Sequence, residues 1–179
     1  MELKTLNEIE IISAPHSKIS EVDFENLTFG NVFTDHMLVC DYVDGAWQKP
    51  VIEPYAPFMI DPSAKVFHYG QAIFEGMKAY KDQQDDVWLF RPDENFRRFN
   101  KSATRMAMPE VPEDIFLGGL HRLLEIEKEW VKKGKGNTLY IRPFMIATGH
   151  GVIAAPSQEY RFMIILSPAR AYYSGEVKV

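Results

Sequence analysis

Apolar residues first gather into strand-like runs in the segment HMLVCDYVDGAWQK, residues 36–49. Asp44 and Gly45 stand between its two strand-like halves. Asp-Gly readily adopts the positive backbone angles of a tight hairpin turn, so we predict a β-hairpin here. The residues before it are polar with scattered apolar positions, which indicates a lead-in strand or arm rather than a separate domain.

A proline-rich passage covers residues 50–62. Proline lacks the amide hydrogen and clashes inside helices, so this passage excludes a long helix and predicts an extended loop. After Tyr69, the segment GQAIFEGMKAY predicts a helical turn that Gly76 interrupts. A second hairpin that includes the strand-like VWLF is predicted to follow.

Two stretches with apolar residues at helical spacing lie in the middle of the chain. The first begins at Pro92, a residue type favoured in the first turn of a helix, and is predicted to end near Met108. The second is predicted over about residues 112–133. It would carry Glu129 and Lys133 as an outward ion pair and stop at Gly134.

Two apolar strands follow the helices. TLYIRPFMIATG alternates as a half-buried strand does, and YRFMIILSP is apolar enough for a strand buried on both faces. The order of two hairpins, two helices and two strands lacks the regular alternation of a doubly wound fold. We therefore predict an α+β fold in which helices pack on a mainly antiparallel sheet, and the length of 179 residues indicates one domain.

The charge and cysteine content of the chain limit which partners and which cellular compartment we expect. The chain has 20 basic and 25 acidic side chains and a net charge of -5, so no overall positive field attracts nucleic acid or an anionic membrane. The single cysteine, Cys40, cannot form an internal disulfide, and the N-terminus lacks the apolar run of a signal peptide. We expect a cytoplasmic protein without a metal site, because no Cys/His cluster has ligand spacing.

Two pairs of residues could bind an anion. Tyr140 and Arg142 are two apart on a predicted strand, so both side chains project from one face and could together bind a carboxylate. Arg97 and Arg98 are adjacent in the first predicted helix, and a guanidinium suits phosphate or carboxylate. By spacing alone, a solvated strand face and a solvated helix surface are the simpler explanations.

Other motifs receive no catalytic assignment. His68 beside Tyr69 is more typical of a structural histidine, and a turn explains Gly149 and Gly151. The sequence contains no Walker, nucleophile-elbow or H-E-x-x-H motif, and Cys40 lacks the setting of a nucleophile. The residues by themselves indicate an α+β domain with a candidate anion site.

Four segments, taken together, resemble one enzyme family. They are FGNVFTDHMLVCDY, FHYGQAIFEGMKAY, VWLFRPDENFRRFNKSATRMAMP and LYIRPFMIATG, in this order along the chain. With them the chain resembles the branched-chain aminotransferases, which are fold-type IV pyridoxal-phosphate enzymes. The resemblance covers about residues 29–173, and the combination of FEGMKAY with LYIRP is far more specific than any single short pattern.

The resemblance assigns roles to individual side chains. Arg98 matches the arginine that binds the phosphate of pyridoxal 5'-phosphate, for which a planar guanidinium is suited. The residues that match the family's substrate pocket are Tyr69, Phe74, Tyr140, Arg142 and Tyr172. In the family, the Tyr-Arg pair binds the distal carboxylate of glutamate or 2-oxoglutarate, yet turns away from leucine, isoleucine or valine. Tyr172 matches a loop tyrosine that shields the pocket.

The resemblance also implies a reaction and a domain arrangement. The parent enzyme would move the amino group of leucine, isoleucine or valine to 2-oxoglutarate, giving a branched 2-oxo acid and glutamate, and would be a homodimer. Residues 1–170 would form the N-terminal substrate-side domain, and residues 171–179 would begin the interdomain linker. The Schiff-base lysine would lie beyond Val179, so we predict that this chain holds no catalytic residue and is inactive alone.

Two alternatives stay open. Another fold-type IV activity, D-amino acid transamination or aminodeoxychorismate lysis, would share the architecture, though not the pairing of FEGMKAY with LYIRP. A non-catalytic binding or assembly module would differ in class and would lack the cofactor domain. Substrate profiling of the full-length parent tests the first alternative, and the reading frame beyond Val179 tests the second.

Overall fold

The computed structural model describes residues 9–170, and within this range nine strands form one sheet. The strands are β1 (Glu10–Ile11), β2 (His36–Val43), β3 (Ala46–Trp47), β4 (Val51–Pro54), β5 (Ala72–Phe74), β6 (Met77–Lys81), β7 (Val87–Leu89), β8 (Thr138–Ala147) and β9 (Tyr160–Ala169). The α-helices are α1 (Lys65–Tyr69), α2 (Pro92–Arg105) and α3 (Gly119–Ile126). A π-helical segment (Asp114–Gly118) leads directly into α3, and short 3-10 turns occur at Ile19–Glu21 and Lys128–Trp130. Among these helices, none is both long and apolar enough to cross a membrane.

The sheet is mainly antiparallel, as the sequence predicts. Its strands lie in the order β1-β4-β2-β9-β8-β6-β7, with β3 paired to β2 and β5 paired to β8. In the described part of the chain, β1 and β4 are the one parallel pair. Since α2 contacts β5 and α3 contacts β2, helices pack on the sheet and the α+β prediction is confirmed.

Three hairpins organise the sheet, and one of them pairs β6 with β7, which confirms the hairpin predicted around VWLF. Asp44 and Gly45 join β2 to β3 with φ values of 54° and 77°, which is the backbone conformation that an Asp-Gly turn supplies. The hairpin predicted at this dipeptide is therefore confirmed. A longer hairpin pairs β8 with β9, from Thr138 opposite Ala169 to Ala147 opposite Tyr160, and forms the centre of the sheet.

The helical turn predicted after Tyr69 is wrong. The turn lies before Gly70, as α1, whereas residues 72–74 form the strand β5 against β8. Gly70 ends α1 with a φ of 62°, a left-handed conformation that glycine adopts because it has no Cβ atom. The proline-rich passage pairs as β4 in its first part and is otherwise free of long helix, as predicted.

The second predicted helix is shorter than its apolar pattern indicates. α3 ends immediately before Glu127, so the predicted end near residue 133 is wrong. Glu127 is only 2% exposed, and its carboxylate lies 2.5 Å from Nδ1 of His36 in β2. This tertiary contact, which local propensity does not encode, fixes the chain where the helix stops. The predicted pair of Glu129 with Lys133 is also wrong, because Lys133 contacts an aspartate of the β6–β7 turn at 2.7 Å.

One face of the sheet, the helix face, carries the main core. Leu38 and Phe162 of the sheet are fully buried in one cluster with Phe99 of α2 and Leu120 of α3. The ring centroids of Phe99, Phe116 and Phe162 are 5.3–5.5 Å apart. Burial of each large apolar side chain contributes about 1.5–3 kcal/mol, so this cluster anchors both helices to the sheet.

The opposite face of the sheet, the open face, is less completely covered. Met37, Val39 and Met163 are buried there and form a smaller cluster with the partly buried Phe144 and Ile165. Residues of the two faces alternate along each strand. The open face therefore combines a rigid sheet with side chains that solvent can reach, which suits a binding surface.

Candidate active site

Strand β8 presents Tyr140 and Arg142 on the open face. Leu139 and Ile141 are fully buried on the helix face, while Tyr140 and Arg142 are half-buried. The shared face that their spacing predicts is confirmed. A strand at the centre of a sheet is a rigid support, so both side chains start from a fixed backbone.

The Arg142 guanidinium is held by two aromatic neighbours. Its Nε and Nη2 donate to the hydroxyl oxygen of Tyr140 at 3.2 and 2.8 Å. Its central carbon lies 4.3 Å from the ring centroid of Phe74, a cation–π contact. A guanidinium has five N–H groups, so three remain for a ligand after the Tyr140 contacts. The Tyr140 oxygen acts as acceptor in both contacts, and its own proton can be donated.

Gly76, in the link between β5 and β6, lies against the end of Tyr140. A Cβ atom at Gly76 would overlap the Tyr140 hydroxyl. The sequence indicated only that this glycine interrupts a helix, whereas the structure gives it a steric function. The missing side chain allows the Tyr140 hydroxyl to lie beside the backbone of the link.

A cavity of about 180 Å³ lies next to this pair. Its lining residues are Phe29, Gly30, Phe33, Tyr140, Arg142, Ile165 and Ser167. Phe29 meets the Tyr140 ring edge-on with a centroid distance of 5.0 Å, and Phe33 stacks on Tyr55 at 4.6 Å. The cavity therefore combines apolar walls with one cationic end, which allows it to contact both a hydrocarbon chain and a carboxylate.

Arg98 lies on α2 and contacts the same β5–β6 link from another element. Its Nε and Nη2 each donate to the Glu75 carboxylate at 2.9 Å. Burial alone would favour the neutral form of Glu75, but hydrogen bonds from Arg98 and Asn95 outweigh it and lower the pKa of this carboxyl. Glu75 is thus a fixed anion that orients Arg98. The neighbouring Arg97 pairs with Asp93 and Glu94 on the solvated side of the helix.

The exposed side of Arg98 fits a phosphate group. Its side chain is 59% exposed, and three of its five N–H groups remain after the contacts with Glu75. A guanidinium that is already oriented loses little freedom when it binds an anion. Phe74, Glu75 and Gly76 are consecutive, so one short segment connects Arg98 with Tyr140 and Arg142.

The other predicted pocket residues are placed differently. Tyr69 ends α1, and its hydroxyl donates to the carbonyl of Val152 in the loop between β8 and β9. Phe74 ends β5 and contacts Arg142. The structure therefore joins Phe74, Tyr140 and Arg142, and it places Tyr69 against the β8–β9 loop. Tyr172 lies outside the described residues.

Residues that sequence reasoning missed come from distant parts of the chain. Phe29, Phe33 and Ser167 line the cavity, although the first two precede β2 and the last lies in β9. Glu75 orients Arg98 but was seen only as part of the FEGMKAY segment. The one local pattern that points to this cavity is the pair of phenylalanines beside a glycine in TFGNVF. It does not indicate which strand these residues contact.

Two residues without a catalytic assignment have structural roles. His68 contacts the carbonyl of Pro62 at 3.0 Å through Nε2, in keeping with a structural histidine. Burial raises the pKa of the Cys40 thiol to about 12. This thiol therefore stays protonated at neutral pH and is not a nucleophile.

Comparison with known proteins identifies sequence relatives. A scan of protein-family models gives no match. Branched-chain-amino-acid transaminase 1 of Bacillus subtilis (strain 168) is 52% identical over 155 residues, which cover 86% of this chain and 44% of that protein. Branched-chain-amino-acid aminotransferase 2 of the same organism is 47% identical over 163 residues, 90% of this chain and 45% of that protein. The chain spans less than half the length of these relatives.

Solved structures share the fold. A branched-chain aminotransferase from Thermoproteus uzoniensis, solved with norvaline, matches with a TM-score of 0.54 and 19% identity over 74% of this chain and 41% of that chain. The branched-chain amino acid aminotransferase from Thermobaculum terrenum in its PLP-form matches with a TM-score of 0.52 and 18% identity over 72% and 39%. At these identities the likeness establishes a common architecture.

Proposed function

Because the chain belongs to the branched-chain aminotransferases over the part of them that it spans, we propose that it supplies the substrate side of an aminotransferase site. The proposed reaction moves the amino group of leucine, isoleucine or valine to 2-oxoglutarate. The observation that carries the proposal is the Tyr140–Arg142 pair at one end of a cavity with apolar walls.

Tyr140 and Arg142 are suited to the distal carboxylate of glutamate or 2-oxoglutarate. The guanidinium can present a planar pair of N–H groups to the two carboxylate oxygens, and the Tyr140 hydroxyl can donate to one of them. Because Phe74 and Tyr140 already orient Arg142, little conformational freedom is lost on binding. The partly buried setting strengthens these charge-assisted contacts relative to bulk water.

The same cavity suits a branched hydrocarbon side chain. Phe29, Phe33 and Ile165 provide apolar contacts along its walls. When the ligand lacks a distal carboxylate, Arg142 keeps its hydrogen bonds to Tyr140 and its contact with Phe74. The half-buried Arg142 cation therefore keeps its partners; an unpartnered cation would penalise binding of an apolar ligand. One site can thus accept the substrates of both half-reactions.

We propose that Arg98 holds the phosphate of pyridoxal 5'-phosphate, with Glu75 fixing the direction of the guanidinium. This cofactor, when bound, supplies the electron sink that amino-group transfer requires. Tyr69 and Phe74 are proposed to line the substrate pocket, and Tyr172 is proposed to shield it. Phe74 contacts Arg142 and Glu75 contacts Arg98, so one short segment connects the proposed carboxylate contact with the proposed phosphate contact.

The proposed domain arrangement assigns residues 1–170 to the substrate-side domain and residues 171–179 to the start of a linker. The match of this chain to only 44% of a relative's length supports such a division. The lysine that anchors the cofactor is proposed to lie outside residues 1–179. A cytoplasmic location is retained as a prediction.

A homodimer is also proposed for the parent enzyme. Large apolar side chains are exposed at Phe67, Val152 and Ile153. Phe67 belongs to α1, and the other two belong to the β8–β9 loop that contacts α1 through Tyr69. Exposed apolar residues on neighbouring segments favour association, so this surface supports the proposal.

A ligand titration of the 179-residue chain tests the proposed substrates. Isotope-labelled protein would be titrated separately with 2-oxoglutarate and with 4-methyl-2-oxopentanoate, the 2-oxo acid of leucine, while amide resonances are followed by NMR. We expect saturable shifts centred on β8 and β9 with both acids. Arg142→Ala should abolish those caused by 2-oxoglutarate. Wild-type protein that shows no saturable shift on these strands with either acid would contradict the proposal.

A further inference from the structure

Ser167 lies directly opposite Tyr140 in the β8–β9 hairpin. Directly opposed residues of antiparallel strands project from the same face, with Cβ atoms about 4.5–5.5 Å apart. The neighbouring opposed pair is Arg142 with Ile165. Ser167 therefore stands beside the two side chains that form the polar end of the cavity, and it lines that cavity itself.

Within residues 9–170, the Ser167 hydroxyl is buried and has no hydrogen-bond partner. The residue is 3% exposed, and its Oγ contacts no donor or acceptor in the described part of the chain. A buried hydroxyl without a partner is unfavourable for folding, because it loses the hydrogen bonds of water and gains none. The contacts among residues 9–170 therefore give no reason for a serine at this position, whereas a ligand in the cavity would give one.

A second buried serine shows what a structural hydroxyl looks like in this protein. Ser157 is also 3% exposed. Its Oγ donates to the carbonyl of Glu159 at 2.7 Å and accepts from the amide of Gly149 at 3.2 Å. The two serines are equally buried, yet Ser157 connects backbone groups and Ser167 faces a cavity. This contrast supplies a matched control.

We propose that the Ser167 hydroxyl is a further contact for the distal carboxylate of the acidic substrate. The inference rests on the proposed function, in which Tyr140 and Arg142 bind that group. A carboxylate offers about four lone-pair sites, so it can accept from Ser167 in addition to Arg142 and Tyr140. A branched hydrocarbon chain offers none. Ser167 thus favours 2-oxoglutarate over the 2-oxo acids of the branched-chain amino acids.

Ser167→Ala, measured on the 179-residue chain, tests this inference. We expect the dissociation constant of 2-oxoglutarate to rise about tenfold, since a hydrogen bond to a charged group is lost. The dissociation constant of 4-methyl-2-oxopentanoate should change less than about twofold, because that ligand makes no such bond. The melting temperature should be unchanged or higher, because the substitution removes an unpartnered hydroxyl.

The Ser157→Ala control should behave in the opposite way. It should lower the melting temperature, because it removes the hydrogen bonds that the Ser157 hydroxyl makes with the Glu159 carbonyl and the Gly149 amide. Below its melting temperature, it should keep the wild-type ratio of affinities for the two acids. A lower melting temperature for Ser167→Ala, with equal loss of affinity for both acids, would instead assign Ser167 to packing and overturn the inference.

The remaining outcomes separate the inference from the proposed function. If Ser167→Ala binds 2-oxoglutarate as tightly as the wild type while Arg142→Ala does not bind it, the serine contact is refuted and the proposed function stands. If the wild-type chain binds neither acid, the proposed function and the serine contact both fail. Selective loss of 2-oxoglutarate affinity in a stable Ser167→Ala protein is the result expected.

Discussion

Arg142 is oriented by protein contacts that a second guanidinium on the open face does not share. Arg142 contacts Tyr140 and Phe74 beside the cavity, whereas Arg161 forms a bidentate ion pair with Asp41 at 2.7 and 2.8 Å. Arg161 already has an anionic partner, and Arg142 has neutral ones. The two arginines therefore allow a comparison between a proposed ligand-binding residue and a residue that already has an anionic partner.

Arg142→Lys should weaken binding of 2-oxoglutarate about tenfold or more, because an ammonium cannot present the planar pair of donors that a carboxylate accepts. Binding of 4-methyl-2-oxopentanoate should change little. Arg161→Lys is the matched control and should leave both dissociation constants near their wild-type values. Calorimetric titration measures both. Equal losses for the two acids in Arg142→Lys would show that Arg142 does not recognise a distal carboxylate.

Gly76→Ala should destabilise the protein mainly through the Tyr140 hydroxyl. The added Cβ would overlap that oxygen, whereas the ring carbon behind it lies at 3.2 Å. We expect a cost of about 1–3 kcal/mol in urea unfolding, typical of overpacking. In a Tyr140→Phe background the same substitution should cost markedly less. Equal costs in the two backgrounds would show that another contact, and not the hydroxyl, requires glycine.

At the scale of elements, a buried polar cluster fastens the N-terminal segment to the end of α3. Asp35 accepts hydrogen bonds from Ser17 Oγ at 2.5 Å, the Lys18 amide at 2.8 Å and Trp130 Nε1 at 3.1 Å. Beside it, His36 accepts from the Ala14 amide through Nε2. Because Nε2 accepts, Nδ1 carries the proton and donates it to the buried carboxylate of Glu127, the residue that follows α3. This cluster therefore connects the N-terminal segment, the start of β2 and the region after α3.

Acidification should weaken the cluster through Asp35. Burial alone would raise the pKa of this carboxyl, but hydrogen bonds from Lys18, Ser17 and Trp130 outweigh it, and the pKa is lowered. A lowered pKa in the folded state stabilises the fold above the unfolded pKa of about 3.9, and this stabilisation is lost as the pH falls.

The free energy of unfolding, measured with urea at several pH values, tests this dependence. Asp35→Asn should be less stable than the wild type at pH values above about 5, and the difference should shrink as the pH is lowered toward about 2. A difference that is constant over this range would mean that Asp35 contributes packing or neutral hydrogen bonds and no charge-dependent stability.

Helices and turns were predictable from the sequence where the backbone preferences of one or two residues determine them. Asp44-Gly45 makes its hairpin, and Pro92 begins α2, because backbone angles favour these residues at these positions. The end of α3 was not predictable, since the contact of Glu127 with His36 joins residues far apart in sequence. The residues that line the cavity were not fully predictable either, because they also come from distant parts of the sequence. Tyr140 and Arg142 share a face by spacing, but Ser167 joins them only through strand register.

At the scale of the whole molecule, the two faces of the sheet have different roles. The helix face holds the core that fixes the strands, and the open face holds the cavity. Because β8 and β9 contribute to both, the polar end of the cavity rests on the most extensively paired strands. The proposed cofactor contact, Arg98, lies on a helix that packs against the same sheet.

The 179-residue chain alone should not bind pyridoxal 5'-phosphate through a lysine. By the resemblance to the family, no lysine of this chain has the neighbouring sequence expected of an anchoring lysine. We therefore expect no saturable visible absorbance band in a titration with the cofactor. We also expect no transamination of leucine with 2-oxoglutarate. A band that saturates and then disappears on addition of leucine would contradict the proposed domain arrangement and would identify an anchoring lysine within this chain.

A chimera gives the decisive measurement of function. In it, this chain replaces the matching part of Bacillus subtilis branched-chain-amino-acid transaminase 1, to which it is 52% identical. With pyridoxal 5'-phosphate bound, the chimera should transfer the amino group of leucine to 2-oxoglutarate, and Arg142→Lys should raise the KM for 2-oxoglutarate with little effect on that for leucine. A folded chimera that binds the cofactor yet transaminates neither leucine, isoleucine nor valine would show that this chain is not the substrate side of a branched-chain aminotransferase.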